Sequence, residues 1–148
     1  MKMNKKLMLF AVIASFLSVS CSRNTITGRN QLSLIAEADL QASATTQYAQ
    51  FLSTSKVISN NANKDAEMVA RVGTRIANAI TAYYKEKGIA NDLAGYKWEF
   101  NLVDSKEVNA WCMPGGKVVV YTGILPVTQN EAALAVVLGH EITHAVAG

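Results

Sequence analysis

Residues 131–144 read EAALAVVLGHEITH, and the reading of this stretch decides the fold. Ala132 to Leu138 are apolar at every position, with no proline or turn residue, and predict a helix over about 129–147. A helix apolar on nearly every face is expected to be buried on all sides. Thr128-Gln129-Asn130-Glu131 has the capping-box pattern at its start, with Asn130 as a competing N-cap. Into this apolar helix the sequence places His140, Glu141 and His144.

On an α-helix, residues four apart lie on one face, one turn from each other. Both imidazoles can therefore reach one metal ion. Zinc accepts neutral histidine nitrogen at about 2.0–2.1 Å, and a catalytic site keeps one position open for water. Glu141 is rotated about 100° from His140, beside that water rather than on the metal. There it can take the water's proton and later pass it to a leaving amine. The bland alternative is a pair of core histidines satisfied by hydrogen bonds, with Glu141 as a structural partner. Two observations favour the metal. His140 and His144 are the only histidines in the chain. An apolar helix is also a costly place for unpaired polar groups. The expectation is one Zn2+ per chain, held by His140 and His144, with Glu141 as general base. Gly139 costs about 1 kcal/mol in a helix interior relative to Ala. It admits two readings: close approach of a strand or substrate, or tight helix–sheet packing.

Working outward, the period changes from helical to alternating. In Tyr96-Lys-Trp-Glu-Phe-Asn-Leu102 the large apolar residues fall on every second position, which predicts a half-buried strand. A second strand is expected at about 107–112 and a third at Lys117–Tyr121, joined by the turn Pro114-Gly115-Gly116. Within Val108–Met113, Asn109 and Ala110 are candidate substrate-binding residues. A protease commonly binds substrate as an added strand on a sheet edge, and the small Ala110 would leave room. The plain reading is an ordinary strand before a tight turn. Cys112 is expected to be buried and inert, since no histidine outside the motif could activate it.

Further upstream, Leu40, Ala44, Tyr48, Phe51 and Leu52 recur at helical spacing within 36–55. A second helix over about 64–87 carries the apolar stripe Met68, Val69, Val72, Ile76, Ala79, Ile80 and Tyr83. Asp65 and Glu67 near its start and Lys85 and Lys87 near its end suit the helix dipole, and Gly88 is a plausible stop. The fold class is α+β: two scaffold helices, a three-stranded, mainly antiparallel sheet, then the histidine-bearing helix packed beneath it.

The N-terminus reads as a targeting segment. Lys2, Lys5 and Lys6 precede the apolar run Leu7–Leu17, which has the length of a signal h-region and is short for a membrane span. Small residues Ser18 and Ser20 stand before Cys21, the pattern of a bacterial lipoprotein signal lipidated at Cys21. The alternatives are a plain secretory signal or an uncleaved anchor. The domains are then 1–20 signal, 21–35 tether and 36–148 catalytic-domain residues. The 148 residues carry 14 basic and 11 acidic side chains, but residues 1–20 hold three lysines and no acid. The remainder is neutral, so nothing argues for a nucleic-acid partner. Two cysteines, Cys21 and Cys112, rule out a disulfide scaffold and a cysteine zinc cluster.

Asn109-Ala110, then Pro114-Gly-Gly-Lys117, then Val120-Tyr-Thr-Gly-Ile-Leu125, then Glu131 through Leu134-Ala-x-Val137-Leu-Gly-His140-Glu141-x-x-His144 resembles the HtpX-like zinc metallopeptidases. These are the relatives of the CAAX prenyl protease, peptidase family M48. Thr27-Gly28-Arg29-x-Gln31-Leu32 is similar to lipoprotein members of that group. The resemblance covers about residues 25–148. It implies a zincin-like (gluzincin) fold, His140 and His144 as zinc ligands, Glu141 as general base, and the strand at 109–112 lining the substrate cleft. It also implies a third ligand, a Glu on a helix well downstream. The sequence ends at Gly148 and its upstream acids do not match that position. The expectation is therefore the N-terminal half of the catalytic domain, holding two of three protein ligands, binding zinc weakly and inactive as it stands. The last helix would then present apolar faces for the other half to cover.

The function expected of the whole protein is zinc-dependent endoproteolysis in the bacterial cell envelope, acting on polypeptides such as misfolded envelope proteins. A lipid anchor would hold it to a membrane, facing the periplasm, with the outer membrane favoured. The rivals are a non-catalytic, client-binding envelope lipoprotein of chaperone type, and a structural lipoprotein with coincidental histidines. Zinc content discriminates among them.

Overall fold

The computed structural model describes residues 21–23, 30–32 and 35–147. The expected signal segment 1–20 and residues 27–29 of the Thr27–Leu32 stretch lie outside the described residues. The chain divides into two compact units, Met1–Ala36 and Glu37–Gly148. In the first, β1 (Cys21–Arg23) pairs antiparallel with β2 (Asn30–Leu32), Cys21 opposite Leu32. The stretch read as a tether thus contains two short strands. The rest of the account concerns the second unit.

Helix α1 (Glu37–Thr54) buries Gln41, Ala44 and Tyr48 at helical spacing, with Glu37 and Asp39 in its first turn. Leu40, expected on the buried stripe, is exposed. Gln41 takes the inward place because its amide donates to the Ala94 carbonyl at 3.1 Å. Helix α2 (Lys64–Glu86) begins where the Asn63 side chain accepts from the Asp65 and Ala66 amides, at 2.9 and 3.0 Å. It ends where Gly88 takes φ +72°, its amide on the Lys85 carbonyl. Val69 and Val72 are buried as the stripe requires, but Tyr84 faces inward in place of Tyr83.

The sheet corrects the expectation of three mainly antiparallel strands. It has four, β3 (Val57–Ile58), β4 (Glu99–Val103), β5 (Ala110–Met113) and β6 (Lys117–Tyr121), in the order β3-β4-β6-β5. The β4–β6 pair is parallel, Glu99 opposite Lys117 and Val103 opposite Tyr121, and the other two pairs are antiparallel. The cause is burial. Val118, Val119 and Val120 are consecutive and all inaccessible, so β6 is covered on both faces and belongs in the interior of the sheet. The tight turn at Gly115 and Gly116, with φ +82° and +81°, then leaves β5 at the rim. A Cβ at Gly116 would stand 2.7 Å from the Trp98 ring.

One face of the sheet, through Phe100, Leu102, Ala110, Val118 and Val120, forms the main core with α2 and the last helix. The opposite face, through Val103 and Val119, packs on Tyr48 with Phe51 and Trp111. A short helix α3 (Leu125–Thr128) follows β6, Gln129 takes φ 61°, and α4 (Glu131–Ala147) closes the unit. Asn130, not Thr128, caps α4: its side chain accepts from the Ala133 amide at 2.9 Å, while the Thr128 hydroxyl donates to the Leu125 carbonyl. Burial of α4 on all sides is also corrected. Leu134, Leu138 and Ile142, at four-residue spacing, are fully buried, whereas Val136 is 73% exposed. Only one stripe of α4 meets the sheet and α2.

Candidate active site

The buried stripe of α4 sets everything on its opposite side. With Leu134, Leu138 and Ile142 inward, His140 and His144 point outward one turn apart, both exposed. Their rings meet edge to face, centroids 4.4 Å apart, and their Nε2 atoms lie 3.1 Å apart. Two nitrogens sharing a tetrahedral zinc at about 2.05 Å would stand about 3.3 Å apart. The pair thus fits one ion with a shift of tenths of an ångström. Neutral imidazole is also the donor zinc prefers. Among the described residues no set of three His, Cys, Asp or Glu side chains converges to hold a metal, so the pair supplies two ligand positions and no third.

Glu141 lies on the flank between the exposed and the buried stripes, half-buried. That flank faces β5. The Glu141 charge reaches the Cys112 thiol, whose pKa is pushed from 9.0 up to about 12, first by burial and then by that charge. A thiol so shifted is protonated at neutral pH, and Cys112 is half-buried where the sequence predicts full burial. Thr143 returns its hydroxyl to the Gly139 carbonyl at 2.7 Å. A Cβ at Gly139 would meet nothing within 4 Å, so packing of α4 on its described neighbours does not require this glycine.

Strand β5 lies at the sheet's rim, paired with β6 alone among the described residues. The Asn109 carbonyl accepts from the Tyr121 amide at 3.1 Å, which turns it toward β6. By the alternation of an antiparallel ladder, Ala110 and Cys112 turn their main-chain N–H and C=O groups to the open edge. The Ala110 methyl is buried in the core, and the Asn109 side chain is exposed. Gly123 places the connection that feeds β5: its amide donates to the Ser105 carbonyl at 2.8 Å, and any Cβ there would run into the Glu107 carbonyl.

A family model described as "Peptidase family M48" matches residues 63–148, which include α2, the sheet from β4 onward and all of α4. The chain belongs to peptidase family M48. Curated M48 relatives agree. The mitochondrial metalloendopeptidase OMA1 of Arabidopsis thaliana is 44% identical over 43% of this chain and 13% of its own length. The Bos taurus metalloendopeptidase OMA1 is 31% identical over 82% of this chain and 22% of its own. The metalloprotease YcaL of Escherichia coli is 29% identical over 60% and 32%. The chain therefore spans a third or less of the length of these M48 proteins.

Sequence reasoning missed one residue that contacts the helix of the candidate site. Tyr96 was read as the first residue of a strand, yet its hydroxyl donates to the carbonyl of Ala145, next to His144, at 2.9 Å. The only signal was the aromatic alternation of Tyr96, Trp98 and Phe100, which speaks of burial and not of a contact 49 residues away.

Proposed function

We propose that this chain carries the metal-binding and proton-transferring part of a zinc-dependent metalloendopeptidase with a zincin-like, gluzincin-type active-site helix. The observation that carries the reading is the pair of exposed imidazoles with Nε2 atoms 3.1 Å apart on one face of α4. Membership of a metallopeptidase family supports it, as does the metalloendopeptidase naming of the relatives.

His140 and His144 would hold the ion through Nε2. When bound, zinc supplies Lewis acidity, which polarises a carbonyl and lowers the pKa of water. Glu141, on the neighbouring flank, takes a proton from the attacking water on its carboxylate and delivers it to the leaving amine. The substrate polypeptide lies extended along the open edge of β5, hydrogen-bonded to the outward groups of Ala110 and flanked by Asn109. Cys21 is the proposed lipidation site, which would anchor a bacterial envelope enzyme acting on misfolded polypeptides. No helix among the described residues is long and apolar enough to cross a membrane.

The test is elemental analysis of the full-length protein, beside His140→Ala. About one zinc per chain, lost in the variant, is the expected result. No zinc in either sinks the hydrolase reading and leaves client binding as the better account.

A further inference from the structure

We infer that Tyr96 is a positioning residue that ties the tip of the β5–β6 hairpin to the turn of α4 carrying His144. The inference rests on the zinc-site reading above for its functional meaning, and on geometry for the tie itself. The Tyr96 hydroxyl donates to the Ala145 carbonyl at 2.9 Å, and the amide of the next residue, Lys97, donates to the Gly115 carbonyl at 2.9 Å. Ala145 follows His144 directly, and Gly115 is the turn that fixes β5 against β6. Tyr96 and Lys97 together therefore span the last turn of α4 and the β5–β6 turn.

The rest of the side chain is built for that task. The ring leans on Trp98, centroids 5.3 Å apart, and Trp98 stacks on Phe100 within 2° of parallel. Trp98 in turn lies against Gly116, where no larger residue fits without a shift. Burial drives the phenol's pKa far up, and the Gly115 amide pulls it back only in part, so the hydroxyl keeps its proton and remains a donor to Ala145.

Tyr48 supplies the control. Its hydroxyl donates to the Val118 carbonyl at 3.1 Å and accepts from Asn101 at 2.8 Å, the same kind of bond on the sheet's other face, away from α4. Both Tyr96→Phe and Tyr48→Phe should lower thermal stability. Only Tyr96→Phe should loosen the site. In metal-free protein it is expected to raise amide exchange at Lys97 and in the last turn of α4 about fivefold, the loss of one hydrogen bond, with β4 and β6 unchanged. In the zinc-loaded protein it is expected to weaken zinc binding by a similar factor and to lower kcat while leaving KM within twofold. Equal exchange in Tyr96→Phe and wild type overturns the tie. Zinc binding that falls equally in Tyr48→Phe and Tyr96→Phe overturns the positioning role. A wild type that binds no zinc refutes the hydrolase reading, and the exchange measurement still decides the tie.

Discussion

The Nε2 atoms of His140 and His144 stand 3.1 Å apart with both rings exposed, while the residues opposite them on α4 are fully buried. The pair is held by the helix and not by packing around it. Removing either ring should therefore cost metal without unfolding the protein. His144→Ala is expected to lose zinc as completely as His140→Ala, with a melting temperature in the metal-free state within about 1 °C of wild type. A collapse of metal-free stability would show that the rings belong to the core.

Glu141→Gln should separate metal binding from hydrolysis. The side chain stands on the flank toward β5, off the line of the two imidazoles. Zinc content is expected to stay at the wild-type level, while peptide hydrolysis falls by roughly 10²–10⁴, the span of one general acid–base. Zinc lost together with activity would make Glu141 a ligand.

Gly139 and Gly73 make opposite predictions for the same substitution. A Cβ at Gly139 meets nothing, so Gly139→Ala should raise stability by roughly 0.5–1 kcal/mol through helix propensity. A Cβ at Gly73 would run into the Phe100 ring, so Gly73→Ala should cost about 1–3 kcal/mol. Urea denaturation of both variants reads the difference. Activity in Gly139→Ala then tests the reading that packing leaves open: a fall in a stabilised protein means that substrate needs the space.

Alkaline pH should weaken the fold. Burial raises Cys112 from 9.0 to about 12, and Tyr48 from 10.0 to about 12. In both cases the folded state holds its proton more tightly than the unfolded chain does. The stabilisation is complete below the unfolded pKa values and is lost as pH rises from about 9 through about 12. The thermal midpoint should be flat from pH 7 to 9 and fall steadily above. At pH 8, iodoacetamide should leave Cys112 unmodified in native protein and alkylate it in urea. Rapid alkylation of the native protein would contradict the shielding of this half-buried thiol.

Two buried tyrosines should respond in opposite senses. The Tyr84 hydroxyl is buried with no hydrogen-bond partner among the described residues, whereas that of Tyr48 has two. Tyr84→Phe is expected to be neutral or to stabilise by up to about 1 kcal/mol, and Tyr48→Phe to destabilise by about 1–2 kcal/mol. Calorimetry of the two variants checks both signs.

The helices were legible because each repeats its burial every three to four residues: Ala44 and Tyr48 in α1, Val69 and Val72 in α2, Leu134 and Leu138 in α4. The error of one position at Leu40 for Gln41 arose because the Gln41 amide found the Ala94 carbonyl, whereas Tyr84 faces inward in place of Tyr83 with no hydrogen bond among the described residues to account for it. The strand Val118–Val120 was legible as buried, but its neighbours were not. Nothing local to Glu99 or Lys117 states that they pair in parallel, and β3 is too short to carry a period. The candidate site was legible because its spacing is helical and its histidines are alone in the chain. Tyr96 was not, because its role lies in a contact made only by the fold.

The placement of β6 between β4 and β5 has a mechanical consequence. Strand β5 is bonded along one side to β6, and α4 rests on the same strand. Tension applied along the open edge of β5 is shared by that ladder and by α4, and reaches β4 only through β6. The rim strand and α4 would therefore move as one body, and the cleft would keep its gauge while the far side of the sheet absorbs the strain.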